Sequence, residues 1–212
     1  MELKELSLAV EKGKVKLVKE LVNQALAEGI PVDEILNDGL ISAMGVVGDK
    51  FRENKIYVPE MLVASRAMSA GLKILEPLMS QTGYEPIGKV VIGTVKGDLH
   101  DIGKNLVAMM MKGIGATVYD VGVDVEDPVF LKKAEEVGAD VVCLSALLTT
   151  TMPAIGDVIN EFKKAGVRDK YYIMIGGAPV SQQFADQVGA DAYTSNAADA
   201  ATVAKQYMES KR

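Results

Sequence analysis

The chain has one histidine, one cysteine and no tryptophan among its 212 residues. A single cysteine excludes an internal disulfide, and the place of Cys143 in an apolar, strand-like run makes it a small packed hydrophobe. One cysteine and one histidine also exclude a closed zinc site of the usual Cys/His composition. Any metal centre that needs more than one such ligand must arrive with its own ligand set. No apolar run approaches the roughly 20 residues that span a bilayer. Positive charge is not concentrated either. The net charge is −6 and the lysines and arginines are scattered, which argues against nucleic acid or an anionic membrane as a partner. The start, Met1-Glu2-Leu3-Lys4-Glu5, is charged and has no signal-peptide apolar core, so the expected location is cytoplasmic. What is plentiful is core material: 49% of residues are hydrophobic, enough for one large domain or two small ones.

The chain changes character near residue 85. Before it, the pattern is helical. Glu2–Glu11 reads as a short helix, and Val15–Ala27 as a second, ended by Gly29 and Pro31. Val32 to about Arg52 forms a third, with Leu36, Leu40, Met44, Val47 and Phe51 at spacings of 4, 4, 3 and 4. Val58 to about Ser80 forms a fourth, with Pro59 in its first turn and Pro77 expected to kink or shorten it. These stripes specify a small antiparallel bundle. After a linker-like segment the pattern alternates. Strand signals lie at Lys89–Thr94, Thr117–Val121, Asp140–Ser145, Tyr171–Ile175 and Ala192–Ser195, with helical signals between and after them. Alternation of this kind implies a parallel sheet covered on both faces. The expected architecture is an all-α four-helix bundle over residues 1–84, a linker at 85–88, and a flavodoxin-like or Rossmann-like α/β domain with a five-stranded parallel sheet over 89–212.

Ligands in such sheets gather at the C-terminal ends of the strands, near the topological switch point. Three unusual loops fall there. The first is Asp98-Leu99-His100-Asp101-Ile102-Gly103, the second Ser145 to Pro153, the third Gly176-Gly177-Ala178-Pro179. A dinucleotide cradle is missing, because Gly93 and Gly97 do not complete Gly-x-Gly-x-x-Gly, and no P-loop is present. A lone histidine is ordinarily a surface or core residue. Here a carboxylate two residues upstream can fix its tautomer and raise its basicity as a metal ligand. Gly176-Gly177 is explained by a tight turn alone or by close approach of a flat ligand. Thr149 to Thr151 are explained by capping of the next helix, or by a hydroxyl closing a chain with Asp98 and His100. The methionines, 11 in all, read as core filler.

Taken together, Asp98-x-His100-x-x-Gly103, Ser145-x-Leu147 and Gly176-Gly177 resemble the signature of cobalamin-binding domains. The run Tyr57 to Met68 resembles the helical cap found in methionine synthase and in methanogen and acetogen corrinoid proteins. The resemblance implies a corrinoid cofactor, cycling between methylcob(III)alamin and cob(I)alamin, whose own benzimidazole tail leaves cobalt and inserts beside the sheet. It implies His100 as the lower cobalt ligand, with Asp98 on its other ring nitrogen and Thr151 where methionine synthase has a serine. Asp101, Ile102 and Gly103 complete that motif. Ser145, Leu147 and Thr149 would line the tail, Gly176, Gly177 and Ala178 would flank it, and Tyr193 would lie near its mouth. Tyr57, Met61 and Met68 would cap the methyl-bearing face. The implied function is a methyl carrier without catalytic machinery of its own. One partner would be a substrate-specific methyltransferase and another a methyltransferase passing the methyl group to tetrahydrofolate or coenzyme M; a reductive activase is a further implied partner. A mutase subunit, a cobalamin-dependent sensor and a cofactor-free flavodoxin-like module are the competing readings. Gln81 to Gly88 is the natural hinge for uncovering the methyl face.

Overall fold

The computed structural model describes residues 3–82 and 85–212, with side chains at 80–82 left aside. It divides into two compact units that meet in sequence between Glu85 and Pro86; the second comprises Pro86–Lys112 and Ala116–Arg212.

The first unit is helical throughout: α1 (Leu3–Glu11), α2 (Val15–Ala27), α3 (Val32–Glu34), a π-helical segment (Ile35–Ile41), α4 (Ser42–Arg52) and α5 (Val58–Thr82). Ile35 and Ser42, at the two junctions, keep right-handed helical angles, so residues 32–52 form one unbroken helical run. The apolar stripe expected there is buried at Leu36, Leu40, Met44 and Val47. The π turn was not expected. It buries Ile35, Leu36, Gly39 and Leu40 together, and a Cβ on Gly39 would lie 2.6 Å from Leu6 Cδ2 of α1. Widening the helix where α1 presses closest accommodates both the contact and the stripe. At the start of α5 the Tyr57 amide donates to Glu60 Oε2 at 3.0 Å, half of a capping box, with Pro59 in the first turn. Pro77 does not shorten α5, which runs on to Thr82.

The second unit carries five parallel strands: β1 (Lys89–Val95), β2 (Thr117–Val125), β3 (Val141–Ser145), β4 (Tyr172–Gly176) and β5 (Ala192–Tyr193), in the order β2-β1-β3-β4-β5. Helices α6 (Ile102–Gly113), α7 (Asp127–Val137), α8 (Met152–Lys164), α9 (Gln182–Val188) and α10 (Ala197–Ser210) connect and follow them. The central strands β1, β3 and β4 are near-continuous buried runs, as parallel strands covered on both faces must be. One core layer gathers Val91, Leu144, Ile159, Ile173, Phe130 and Phe162, all essentially without solvent contact. Gly93 serves this layer: a Cβ there would lie 2.7 Å from the Phe130 ring, so glycine lets α7 seat on β1.

Two Gly-Ala-Asp turns close α7 and α9 and do the same work. Asp140 donates its amide to the Lys89 carbonyl and accepts the Lys89 amide on Oδ2 at 2.9 Å. Asp191 repeats this on Ile173, with a 2.7 Å bond. Each aspartate thus pins the beginning of the neighbouring strand and sets its register.

Cys143 lies within β3, buried, and burial pushes its thiol up to about 12. A thiolate is the reactive form. Cys143 is therefore expected to resist a disulfide reagent at pH 8 in the folded chain and to react stoichiometrically once guanidinium unfolds it. Rapid labelling without denaturant would contradict this burial.

Candidate functional site

The order β2-β1-β3 places the topological switch point between β1 and β3. Register aligns Thr94, Ser145 and Gly176 in one row across β1, β3 and β4, so the three loops anticipated from sequence leave the sheet side by side.

The loop after β1 turns at Gly97, where φ is +80°, a conformation that glycine adopts freely. The turn sends Asp98 inward, where it is completely buried, and leaves Leu99 outside. Oδ1 of Asp98 accepts from the His100 amide at 3.1 Å and lies 2.8 Å from His100 Nδ1. Oδ2 accepts from the amides of Leu147 at 2.7 Å and Leu148 at 3.3 Å, and lies 2.7 Å from Thr151 Oγ1. Thr151 occupies the residue before α8 but makes no side-chain cap there. Its hydroxyl also lies 3.0 Å from the Leu148 carbonyl. With one proton to give, the anionic carboxylate is the stronger acceptor.

Burial by itself pushes the Asp98 carboxyl up, but the bonds from Thr151, Leu147 and His100 outweigh it and hold the group well below the usual carboxylate range. An ionised Asp98 accepts and cannot donate, which assigns the proton of the facing ring nitrogen to Nδ1 of His100. No hydrogen bond to the other nitrogen, Nε2, occurs among the described residues. The His100 side chain is 51% exposed. The site therefore presents a half-exposed imidazole held on one ring nitrogen by a buried anion. Among the described residues no group of three or more His, Cys, Asp or Glu could hold a metal ion.

The other anticipated residues divide by position. Asp101 receives the Asn105 side chain at 3.0 Å as α6 begins. Ile102 is exposed, and Gly103 has nothing within 4 Å of where a Cβ would sit. Leu147, Thr149 and Ala178 are exposed, whereas Ser145, Gly176 and Gly177 are half-buried. Leu99, Ile102, Leu147 and Leu148 leave apolar surface open on the two loops beside His100. Tyr193 ends β5, paired with Ile175 and packed against the sheet core. In the helical unit Tyr57 is exposed while Met61 and Met68 are buried.

Sequence reasoning missed three participants. Thr94, fully buried, donates its hydroxyl to the His100 carbonyl at 2.9 Å. Asp124 accepts the Gly97 amide on Oδ1 at 2.7 Å and donates its own amide to the Asp98 carbonyl at 2.9 Å. Lys104, buried, pairs with Asp120. The Asp124 contacts depend on the far part of β2, beyond Val121, where the sequence reading ends that strand.

Residues 88–204 match the B12 binding domain family, and residues 2–76 match a second family of the same description. The chain is 42% identical over 207 residues to dimethylamine corrinoid protein 1 of Methanosarcina acetivorans, with 97% of each chain covered. It is 39% identical over 209 residues to a corrinoid protein of Desulfitobacterium hafniense, again with 97% of each covered. A chain in the crystal structure of the methanol:cobalamin methyltransferase complex MtaBC from Methanosarcina barkeri superposes with a TM-score of 0.88 at 29% identity, covering 96% of this chain and 78% of that one.

Proposed function

Since this chain belongs to the B12-binding corrinoid proteins and binds a cofactor of that class, we propose that it is a methyl carrier in which His100 Nε2 is the lower axial ligand to cobalt. The observation that carries this reading is the hydrogen bond from Nδ1 of the half-exposed His100 ring to a buried, ionised Asp98, which leaves Nε2 as the ring nitrogen available to a metal. A carboxylate bonded to the far nitrogen of a ligating imidazole orients the ring and raises its basicity. The surroundings fit a large, flat, partly apolar ligand. Gly103 has room that any side chain would fill, and four apolar side chains stand open beside His100.

When bound, the corrinoid supplies a cobalt able to accept and release a methyl group. The protein's part is to hold and tune it. Asp98 and Thr151 set the proton on Nδ1, and Thr94 fixes the backbone of His100. Ser145, Leu147 and Thr149 are proposed to line the cofactor tail and Gly176, Gly177 and Ala178 to flank it, with Tyr193 near its mouth. Residues 1–84 are proposed as the cap domain, with Tyr57, Met61 and Met68 toward the methyl face, and 85–88 as the linker to a cofactor-binding domain at 89–212. Partners are proposed to be a substrate-specific methyltransferase and a second one with tetrahydrofolate or coenzyme M as acceptor. Methylamines are the favoured donor class, because methylamine corrinoid proteins stand among the relatives.

The test is the visible spectrum of the chain reconstituted with methylcobalamin, beside His100→Ala. The expected wild-type spectrum is that of a cofactor with its own base displaced and an imidazole on cobalt. The variant should retain cofactor but show no nitrogen ligand below cobalt. Identical spectra would overturn the ligand assignment, and absence of bound cofactor in the wild type would overturn the carrier reading.

A further inference from the structure

The loop that carries Asp98 and His100 is held on its outer side by β2, and the hold comes from an irregularity in that strand. Pairing with β1 runs in step from Lys89↔Thr117 to Ile92↔Asp120, then slips to Gly93↔Gly122 and again to Val95↔Val125. Within the slipped stretch Gly122 has φ of +98° and Asp124 has φ of +51°. A left-handed aspartate is uncommon and is tolerated because its short side chain bonds locally. Here it does so across strands. Asp124 Oδ1 takes the Gly97 amide and Asp124 N–H gives to the Asp98 carbonyl. One residue therefore grips the loop on both sides of its turn. Asp120 supports the same bulge, accepting the Gly122 amide on Oδ1 at 2.9 Å while Oδ2 pairs with Lys104 of α6. The neighbouring Lys96–Glu126 pair is exposed on both sides and contributes little.

We propose that Asp124 is a positioning residue for the axial ligand: its two hydrogen bonds fix the loop so that His100 meets both Asp98 and the cofactor. This rests on the ligand reading above. Bulges next to functional sites commonly re-aim a side chain in this way. Asp124 touches neither His100 nor any group of the relay's side chains, so its effect passes through the backbone of Gly97 and Asp98.

Three variants separate the contributions. Asp124→Asn keeps an acceptor oxygen and tolerates the left-handed backbone. Asp124→Gly keeps the backbone but removes the acceptor, and Asp124→Ala loses both. Two readouts are made on the full chain. Amide hydrogen exchange without cofactor reports the Gly97 N–H directly. With methylcobalamin bound, the visible spectrum reports the ratio of imidazole-ligated to unligated cofactor. Loss of a hydrogen bond to a charged acceptor predicts about tenfold faster exchange at Gly97 and about a tenfold lower ligated ratio in the Ala and Gly variants. The Asn variant should stay near wild type in both. Faster Gly97 exchange with an unchanged ligated ratio would overturn the proposal, as would an Asn variant as impaired as Ala. If the wild-type spectrum is itself insensitive to His100→Ala, the ligand reading fails and this proposal falls with it, an outcome distinct from a chain that responds to His100→Ala but not to Asp124.

Discussion

Replacing Asp98 with alanine should destabilise the sheet unit by about 3–5 kcal/mol and remove the imidazole ligand from any bound corrinoid. The carboxylate is fully buried and receives donors from both switch-point loops. Removing it leaves the Leu147 and His100 amides without their acceptor, while the Thr151 hydroxyl falls back on the Leu148 carbonyl. Each buried, unsatisfied donor costs about 1–3 kcal/mol, and the losses overlap because the loops relax together. Asparagine separates stability from tuning. Its oxygen can still accept from Leu147 and Thr151, but its amide group then faces the donors of His100. The imidazole must turn away or shift its proton to Nε2, and a protonated Nε2 cannot bind a metal. Asp98→Asn should thus stay folded and lose the ligand. The stability of the wild-type chain should also depend on pH in a defined direction. The folded Asp98 carboxyl lies below the usual range, so its contribution is complete above the unfolded value of about 3.9 and is lost as pH falls from there toward the folded value. Urea unfolding at pH 7, 5 and 3.5 should give the same wild-type advantage over Asp98→Asn at the first two and a smaller one at the third. An advantage that persists undiminished at the lowest pH would show that the charge of Asp98 is not what stabilises the loops.

Much of this arrangement could be read before any coordinates. β1, β3 and β4 are short runs of buried apolar residues bounded by turn residues, and such runs leave few alternatives. The pairing of Asp98 with His100 follows from their spacing on one loop, because a residue two positions away can return its ring to the carboxylate. What stayed hidden falls into two kinds. Backbone donors carry no signature, so nothing in Leu147 or Leu148 announces an amide aimed at Asp98. The bulged end of β2 was concealed by its own composition. Glycine and aspartate are depleted in strands, so Gly122 and Asp124 read as the end of the strand although it runs on to Val125. The π turn was concealed for a related reason. A spacing of four between Leu36, Leu40 and Met44 suits an α-helix, and it suits a locally wider one equally well.

The two glycines after β4 read as a pair, yet the structure assigns them opposite sensitivities. At Gly177 φ is +132°, and a Cβ would sit 1.8 Å from the carbonyl oxygen of Ala146 and 2.8 Å from its carbon. Those are backbone atoms, so no side chain can swing aside. Ala146 is itself bonded to the Gly176 carbonyl at 3.2 Å, and it directly precedes the Leu147 amide that holds Asp98. Gly177→Ala should therefore cost more than about 4 kcal/mol, from strain and from displacement of the β3 loop, and should weaken cofactor retention along with the fold. At Gly176 the nearest atom to a Cβ is the Thr194 carbonyl oxygen at 3.7 Å, an ordinary contact, and φ lies outside the left-handed region. Gly176→Ala should leave the thermal midpoint within a few degrees of wild type, since a change under about 0.5 kcal/mol is expected where nothing is displaced. The pair then becomes a probe of the ligand. Because the protein alone has room at Gly176, a variant that melts normally yet releases cobalamin would locate the cofactor against that backbone. Normal melting with normal retention would remove Gly176 from the lining. A Gly177→Ala chain as stable as wild type would mean that the β3 loop is not held where the Asp98 network requires it.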